Sequence, residues 1–420
     1  KDGAPLISAG DAKGALKKAA KTISAAYTYP FLAHAPLEPQ NCTAHVTADK
    51  IEIWAPSQTP NAGKKVAAMV SGLDEANVTL HQMRCGGGFG RRLQNDFVAE
   101  AVAISQESGL PVKLQWTRED DFANDVYRPG GMHGMEAGLD KNGHIAAWRD
   151  HFVTIKAGGD KPPLQAQIFP GMMPHNLIPN FEITQTALPF HTPVGWWRAP
   201  ISNALSFIVN GFLDECAVAG NRDFVELLIE IYGQPRDIPA GMGASMNTGR
   251  AVNVIKDAAK RGGWGSENAP TQGGRRAKGF AFFHSHSGYF AEVADVEVLD
   301  DKQIIIHHVH VSGDVGPIIN PSMAENQCVG SVMDGISAAM TNEMDFKNGA
   351  APQTNYDTYP LLRMRAAPKV DVHFIQSDVA PTGLGEPALP PIAPAIANAI
   401  FAATGERIRE MPFSKSGYSV

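Results

Sequence analysis

The chain has 420 residues, 44% of them apolar and 19% charged, which describes a globular protein with room for more than one core and excludes a disordered one. Its net charge of −7, with no block of Lys or Arg, argues against nucleic acid or an anionic membrane surface as the main partner. No apolar run approaches the roughly 20 residues that span a bilayer as a helix. The cysteines at 42, 85, 216 and 328 are too scattered to form a zinc or iron–sulfur motif.

Lys1 is not an initiator Met and no signal-peptide pattern follows it, so the numbering reads as starting inside a longer polypeptide. Residues 11–20 predict an amphipathic helix capped by Asp11. The stretch 27–47 is extended, punctuated by Pro30, Pro36 and Pro39, and carries His34. Alternation over 50–56 predicts a half-buried strand, 61–72 a helix and 78–83 a short strand. That strand runs into Gly86-Gly87-Gly88-Phe89-Gly90-Arg91-Arg92; a helix over 96–106 and a strand over 112–117 follow. Residues 135–155 predict a hairpin turning at Asp140-Lys141-Asn142-Gly143. Residues 158–179 read as a Pro-, Gly- and Met-rich rim loop, 203–219 as a strongly apolar helix, 235–246 as a linker and 250–261 as a helix. From Ala277 the pattern turns to strands at 280–283, 291–299 and 303–311, then to a small-residue helix over 321–340. The expected fold class is α+β, in two domains of mixed sheets and helices at 1–236 and 247–420.

Two glycine turns carry the chemistry. In Thr382-Gly383-Leu384-Gly385-Glu386-Pro387 a lone carboxylate sits between glycines and a proline, which holds Glu386 out of helical geometry. Pro390, Pro391 and Pro394 then lead into a helix of small residues stopped at Gly405. A solvated loop glutamate is the plain alternative. The strand–GGGFG–helix unit far upstream makes a shared site the expectation, because consecutive glycines before a helix expose backbone N–H groups to a ligand. As a nicotinamide fingerprint that unit fits badly: Arg91 stands where the third glycine belongs and Asp120 lies too far on. As a P-loop it lacks Gly-Lys-Ser/Thr. Arg91 and Arg92 suit a phosphate by charge, with simple exposure as the alternative. Arg198, in Gly195-Trp196-Trp197-Arg198-Ala199-Pro200, could hold a carboxylate, a carbonyl or a developing oxyanion, or stack on its tryptophans. His308 and His310 share a strand face, as do His284 and His286, but no third ligand stands near either pair, so no protein metal site is expected. Trp196, Trp197, Phe169, Met172 and Met173 are candidates for an apolar pocket or for core.

Taken together, the GGGFGRR turn, Asp125-Val126-Tyr127-Arg128-Pro129, the Arg198 loop, Ile319-Asn320-Pro321 with Asn326-Gln327-Cys328, and the Gly383–Gly405 stretch resemble the molybdenum-binding subunit of the xanthine dehydrogenase/aldehyde oxidoreductase family. The isoquinoline 1-oxidoreductase-like type is the variant they match. The resemblance implies two molybdopterin-binding domains, the first lacking its N-terminal part. It implies Glu386 as general base and Arg198 as a residue steadying charge on substrate. Gly87, Gly88, Phe89, Gly90 and Arg91 would contact the cofactor, and so would Gln327 and Gly385. The cofactor implied is molybdopterin cytosine dinucleotide carrying molybdenum with oxo and sulfido ligands. The pterin holds the metal, so no protein ligand is needed. The reaction implied is hydroxylation of an N-heteroaromatic or aldehyde substrate with water as oxygen source. Electrons would pass to a small iron–sulfur subunit and onward to a cytochrome, and the remaining part of the molybdenum subunit would be a further partner. A periplasmic location is implied, with the cytoplasm as alternative. Leu32 stands where many relatives carry Gln, and Leu93 where purine-oxidising members carry an acid, which favours a less polar substrate. The competing readings are an NAD(P)-dependent dehydrogenase built on the 78–117 unit and a non-catalytic degenerate homologue.

Overall fold

The structure, a computed structural model, describes residues 3–241 and 244–420. The first half forms β1 (Ala4–Ala9), α1 (Ala12–Lys18), β2 (Lys21–Tyr29), β3 (Asn41–Val46), β4 (Ile51–Ala55), α2 (Pro60–Ser71), β5 (Val78–Gln82), α3 (Asp96–Ser108), β6 (Val112–Gln115), α4 (Arg118–Ala123), β7 (Gly131–Leu139), β8 (Ile145–Ile155), β9 (Phe181–Leu188), α5 (Ser202–Ala219) and α6 (Phe224–Tyr232). The second half forms β10 (Asp237–Gly241), β11 (Ala244–Asn247), α7 (Thr248–Arg261), β12 (Arg275–Ser285), β13 (Gly288–Val298), β14 (Ile304–Asp314), α8 (Pro321–Met340), β15 (Lys369–Phe374) and α9 (Ile392–Thr404).

The α+β expectation holds, with three mixed sheets. A five-stranded sheet runs β1-β9-β8-β7-β2, a four-stranded sheet β5-β4-β3-β6, and a second four-stranded sheet β12-β13-β14-β15. Each contains one parallel pair among antiparallel ones: β8 with β9, β4 with β5, and β14 with β15. The small sheet, with α2 and α3, has its own core around Ile53, Phe97 and Val102. The other two sheets share one core, in which Trp148, Phe181 and Phe207 join Phe280, Phe290 and Ile396. The stretches 1–236 and 247–420 are thus fused through α5 packed on α9.

Two local choices set where the C-terminal loop sits. All eleven residues of β13 are buried, because α7 covers one face of its sheet and α9 the other. The helix α9 lies so close to β12 that a Cβ at Gly279 would overlap the Ala395 carbonyl oxygen, so only glycine there admits it. Its alanines form the near face, and Gly405 closes it in the left-handed conformation at φ 80°. Glu386 is thereby fixed at the lip of a rigid sheet–helix layer.

Two expectations change. The linker over 235–246 is in part a two-stranded antiparallel ribbon, β10 with β11; Met242 and Gly243 lie outside the described residues. The nicotinamide unit also dissolves. A dinucleotide fold needs the strands flanking α3 to be parallel neighbours, but β6 lies at the far edge from β5 and runs antiparallel to β3.

Candidate active site

A cavity of about 800 Å³ opens between the halves, lined by Phe89, Gly90 and Leu93 from the first glycine turn, Trp196 and Arg198 from the tryptophan loop, Gln327 and Asp334 from α8, and Gly385 and Glu386 from the second. Apolar side chains, Met333, Leu361 and Leu362 among them, fill much of the wall.

Glu386 is hydrogen-bonded at one oxygen and approached by a histidine at the other. Oε1 accepts from the Ala199 N–H at 3.1 Å, and Oε2 lies 3.0 Å from His286 Nε2. Its side chain keeps 36% exposure, so it still faces the cavity. Arg198, 9% exposed at its side chain, clamps the neighbouring backbone: Nε and Nη2 donate to the Gly385 carbonyl at 3.1 and 3.0 Å, and Nη2 to Ser331 Oγ at 2.7 Å. Gln327 Nε2 donates to the same carbonyl at 2.7 Å. Among the described residues the acid paired with the guanidinium is Asp334, 3.5 Å from Nη1. Burial holds the Asp334 carboxyl above its ordinary value even with Arg198 beside it. Arg198 is neither exposed nor stacked on its tryptophans as its main engagement; it is a bracket whose Nη1 is its least committed nitrogen. Of the two tryptophans, Trp196 reaches the cavity, while Trp197 is buried with Leu32, Ala199 and Leu389. Leu32 therefore packs core.

The first glycine turn is stitched to the tryptophan loop. Phe89 and Gly90 have φ of 54° and 107°, and a Cβ at Gly90 would overlap the Trp196 carbonyl oxygen. Arg198 N–H donates to the Phe89 carbonyl at 2.9 Å, and Gly90 N–H to Gln58 Oε1 at 3.1 Å. Gly87 and Gly88 lie behind Phe89 and Gln58 and do not line the cavity. Arg91 and Arg92 turn inward and are both wholly buried. Arg91 bonds Asp96 at 2.9 and 2.6 Å and lies 3.2 Å from Asp125, while Arg92 donates to the Gly87 and Glu38 carbonyls at 2.9 and 2.8 Å. They anchor the turn from behind and offer nothing to a phosphate in the cavity, contrary to the expectation for Arg91. Charge alone suggested the ligand role; Asp96 and Asp125 claim that guanidinium first.

Asp125 of the DVYRP stretch completes this underside. It accepts from His34 Nδ1 at 2.9 Å and from the His34 N–H, and His34 Nε2 meets the Trp196 carbonyl at 2.9 Å. Burial would raise Asp125, but His34 and Arg91 outweigh it and hold the carboxyl below its ordinary value.

Sequence reasoning missed His286, Ala199, Ser331, Asp125 and Asp334 as parts of the site. Spacing singled out His286 only as a strand-face mate of His284; β12 ends at Ser285, and His286 sits instead in the two-residue turn that follows, at φ 52°. Phe169, Met172 and Met173 do not reach the cavity; Met173 is core and Met172 packs on it. For His308 and His310 the structure does supply a third group, Asp371 from β15, with ligand atoms within 4.8 Å of one another. Its Oδ2 is already 2.7 Å from His308 Nε2 and 3.0 Å from Lys369 Nζ, a charge-balanced cluster.

Residues 3–229 match a family model described as molybdopterin cofactor-binding domain, and 244–368 match a second model of the same description. The chain belongs to the molybdopterin cofactor-binding family. Among relatives, it is similar to a nicotinate dehydrogenase subunit of Pseudomonas putida, 28% identical over 97% of this chain and 36% of that one. It is similar to the beta subunit of isoquinoline 1-oxidoreductase of Brevundimonas diminuta, 28% identical over 90% of this chain and 48% of that one. The chain thus spans between about a third and a half of these relatives. Among solved structures, quinoline 2-oxidoreductase from Pseudomonas putida 86 superposes with a TM-score of 0.82 at 13% identity, covering 98% of this chain and 78% of that one. The family is the one the five motifs pointed to, and nothing in these matches supports a nicotinamide cofactor.

Proposed function

We propose that this chain is the catalytic part of a molybdenum hydroxylase that oxidises an N-heteroaromatic or aldehyde carbon. The observation that carries the reading is that Glu386, the Phe89–Gly90 turn, Arg198 and Gln327, from segments remote in sequence, line one cavity. Its volume falls within the roughly 300–1,000 Å³ range of cofactor and ligand pockets. The cavity also fits a pterin cofactor chemically. The backbone N–H groups of Phe89, Gly385 and Glu386 donate to no other group among the described residues, which leaves them for an oxygen-rich anionic ligand. Gln327 and Arg198 stand beside them.

The bound cofactor would supply the redox chemistry. Glu386 takes up the proton that the oxygen donor releases: the Ala199 N–H occupies one site of its carboxylate, and a carboxylate has about four lone-pair sites. Arg198 fixes the peptide before it and lines the cavity, with Nη1 engaged only by Asp334 at 3.5 Å, so its charge would steady charge developing on the substrate. Phe89, Leu93, Trp196, Met333 and Leu362 exclude water and present flat apolar walls, and Leu93 supplies no acid for a polar purine. The cofactor is read as the cytosine dinucleotide form. With Arg91 and Arg92 engaged elsewhere, its pyrophosphate would rest on backbone donors. The four cysteines are free, three of them buried apart in β3, α5 and α8, so an iron–sulfur partner chain would receive the electrons.

Molybdenum and nucleotide analysis of the purified complex, with dye reduction over quinolines, nicotinate and aldehydes, tests the reading. Glu386→Gln is expected to keep molybdenum and fold and to lose about 10²–10⁴-fold in turnover. A metal-free active complex, or an active Glu386→Gln, overturns it.

A further inference from the structure

We propose that His308, His310 and Asp371 form a site for a divalent transition metal of the zinc type, which cross-links the edge strand β15 to β14. The proposal is independent of the hydroxylase reading and of its cofactor.

The sheet builds the site. Side chains two residues apart on a strand share a face, so His308 and His310 of β14 stand side by side, their ring centroids 3.9 Å apart. Spacing along the sequence offers those two ligands and no third. The third comes from β15, which runs parallel to β14 with Asp371 directly beside His310 in register. One ligand atom from each of the three lies within 4.8 Å of the others. In a tetrahedral zinc site, bonds of about 2.0–2.1 Å set neighbouring ligand atoms about 3.4 Å apart. The 2.7 Å between His308 Nε2 and Asp371 Oδ2 and the 4.8 Å limit of the cluster bracket that spacing.

Hydrogen bonding sets this cluster apart from the histidines around it. His307 Nε2 meets Glu297 at 2.9 Å and His373 Nδ1 meets Asp257 at 2.8 Å, so both neighbours are partnered. His308 Nε2 is buried, and among the described residues it has no hydrogen-bond partner. Asp371 Oδ2 is close to it but not aligned for a hydrogen bond. A buried nitrogen left unbonded in a folded protein calls for a missing partner, and one lying between a second imidazole and a carboxylate calls for an ion.

Charge and access fit as well. Burial, with His308 beside it, holds the His310 imidazole below its ordinary value, so it presents a lone pair at neutral pH. Two neutral imidazoles with one carboxylate suit zinc; Mg²⁺ and Ca²⁺ take oxygen ligands instead. The cation already at the carboxylate is Lys369, its Nζ 3.0 Å from Asp371 Oδ2. That lysine side chain is 68% exposed, so the pair is worth little and the amine can swing into water. Asp371 is 45% exposed at its side chain, which leaves an entry path and room for water as the fourth ligand.

An ion there would act on an edge. In its sheet β15 pairs with β14 alone. The chain leaving β15 runs on to Glu386, tied back by the Ile375 N–H on the Gly313 carbonyl at 2.8 Å and the Thr382 N–H on the Val315 carbonyl at 2.9 Å. Metal bonds from His308 and His310 to Asp371 would add a side-chain tie to that short parallel ladder.

The test treats the purified complex with chelator, removes the chelator, and then measures zinc binding by equilibrium dialysis and hydrogen exchange of the peptide spanning residues 369–374. Wild type is expected to bind a zinc ion that His310→Gln and Asp371→Asn each bind at least about tenfold more weakly. Zinc is expected to slow exchange of that peptide in wild type and in neither variant. Lys369→Gln removes the competing amine and is expected to bind zinc more tightly than wild type, which a variant that merely misfolds would not do. Mg²⁺ at the same concentration is expected to change neither readout. Wild-type zinc affinity in His310→Gln or Asp371→Asn, exchange at 369–374 that ignores zinc, an equal response to Mg²⁺, or no gain in Lys369→Gln overturns the proposal. Neither readout needs molybdenum or turnover, so its failure is distinct from failure of the hydroxylase reading.

Discussion

Two arginines read alike in the sequence, each directly after an aromatic, glycine-bearing turn, and the folded chain uses them in opposite ways. Arg91 is wholly buried against two carboxylates, Asp96 and Asp125. Arg198 bonds neutral acceptors, the Gly385 carbonyl and Ser331 Oγ, with its one acid at 3.5 Å. The charge of Arg91 is cancelled and serves rigidity. The charge of Arg198 has one acid, Asp334, at the longer distance of 3.5 Å, and the residue lines the cavity. A guanidinium becomes a ligand site when the fold surrounds it with dipoles instead of anions, a distinction that depends on residues far away in the chain.

The sharpest way to break this comparison is to delete the cancelled charge. Arg91→Leu leaves Asp125 buried with only His34 beside it and is expected to cost about 3–5 kcal/mol, read as a shift in the urea midpoint. Arg198→Leu strands neutral acceptors and is expected to cost about 1–3 kcal/mol. Equal losses would show that Arg198 is as structural as Arg91.

Arg198→Lys sharpens the functional half. A lysine keeps the positive charge but cannot fork across the Gly385 carbonyl and Ser331 together. The loop bearing Glu386 should loosen while the fold stands. The expected result is a fall of roughly 10–100-fold in kcat/KM with thermal stability changed by little. A variant that retains full turnover would mean that charge alone, without the bracket, suffices.

The same contrast explains what could be read in advance. Helices with clear caps and stops were legible: Asp11 does cap α1, Gly109 and Gly405 do end α3 and α9 in left-handed geometry, and the 135–155 hairpin pairs as β7 with β8. The signals there are local. The strands β1, β9 and β15 were not read, because each is defined by its neighbour: β1 and β9 pair with each other, and β15 finds its place only beside β14. At the site, Glu386, Arg198, Gln327 and the Phe89–Gly90 turn were legible as residue types in motifs. Which of them face the cavity was not. Arg91 was misassigned, and His286, Ala199 and Asp334 were missed, since nothing in their own neighbourhoods shows that a carboxylate or a guanidinium arrives from another segment.

The smallest effect concerns the acids that accompany the two arginines, and it has a sign. Asp125 is held below its ordinary value, so its stabilisation is complete above the unfolded carboxylate range near 4 and is lost as pH falls through the folded value. Asp334 is held above its ordinary value by burial, so ionising it opposes folding, and that cost disappears on acidification. Asparagine imitates the protonated acid in each case. Asp125→Asn should therefore melt lower than wild type at pH 7, and Asp334→Asn level with it or higher by about 1–2 °C. Both differences should shrink as the pH approaches 3, where the wild-type acids begin to carry the proton that asparagine mimics. If both variants melted lower at pH 7, Asp334 would be a true partner of Arg198. The charge facing the cavity would then be cancelled as fully as the one behind the glycine turn.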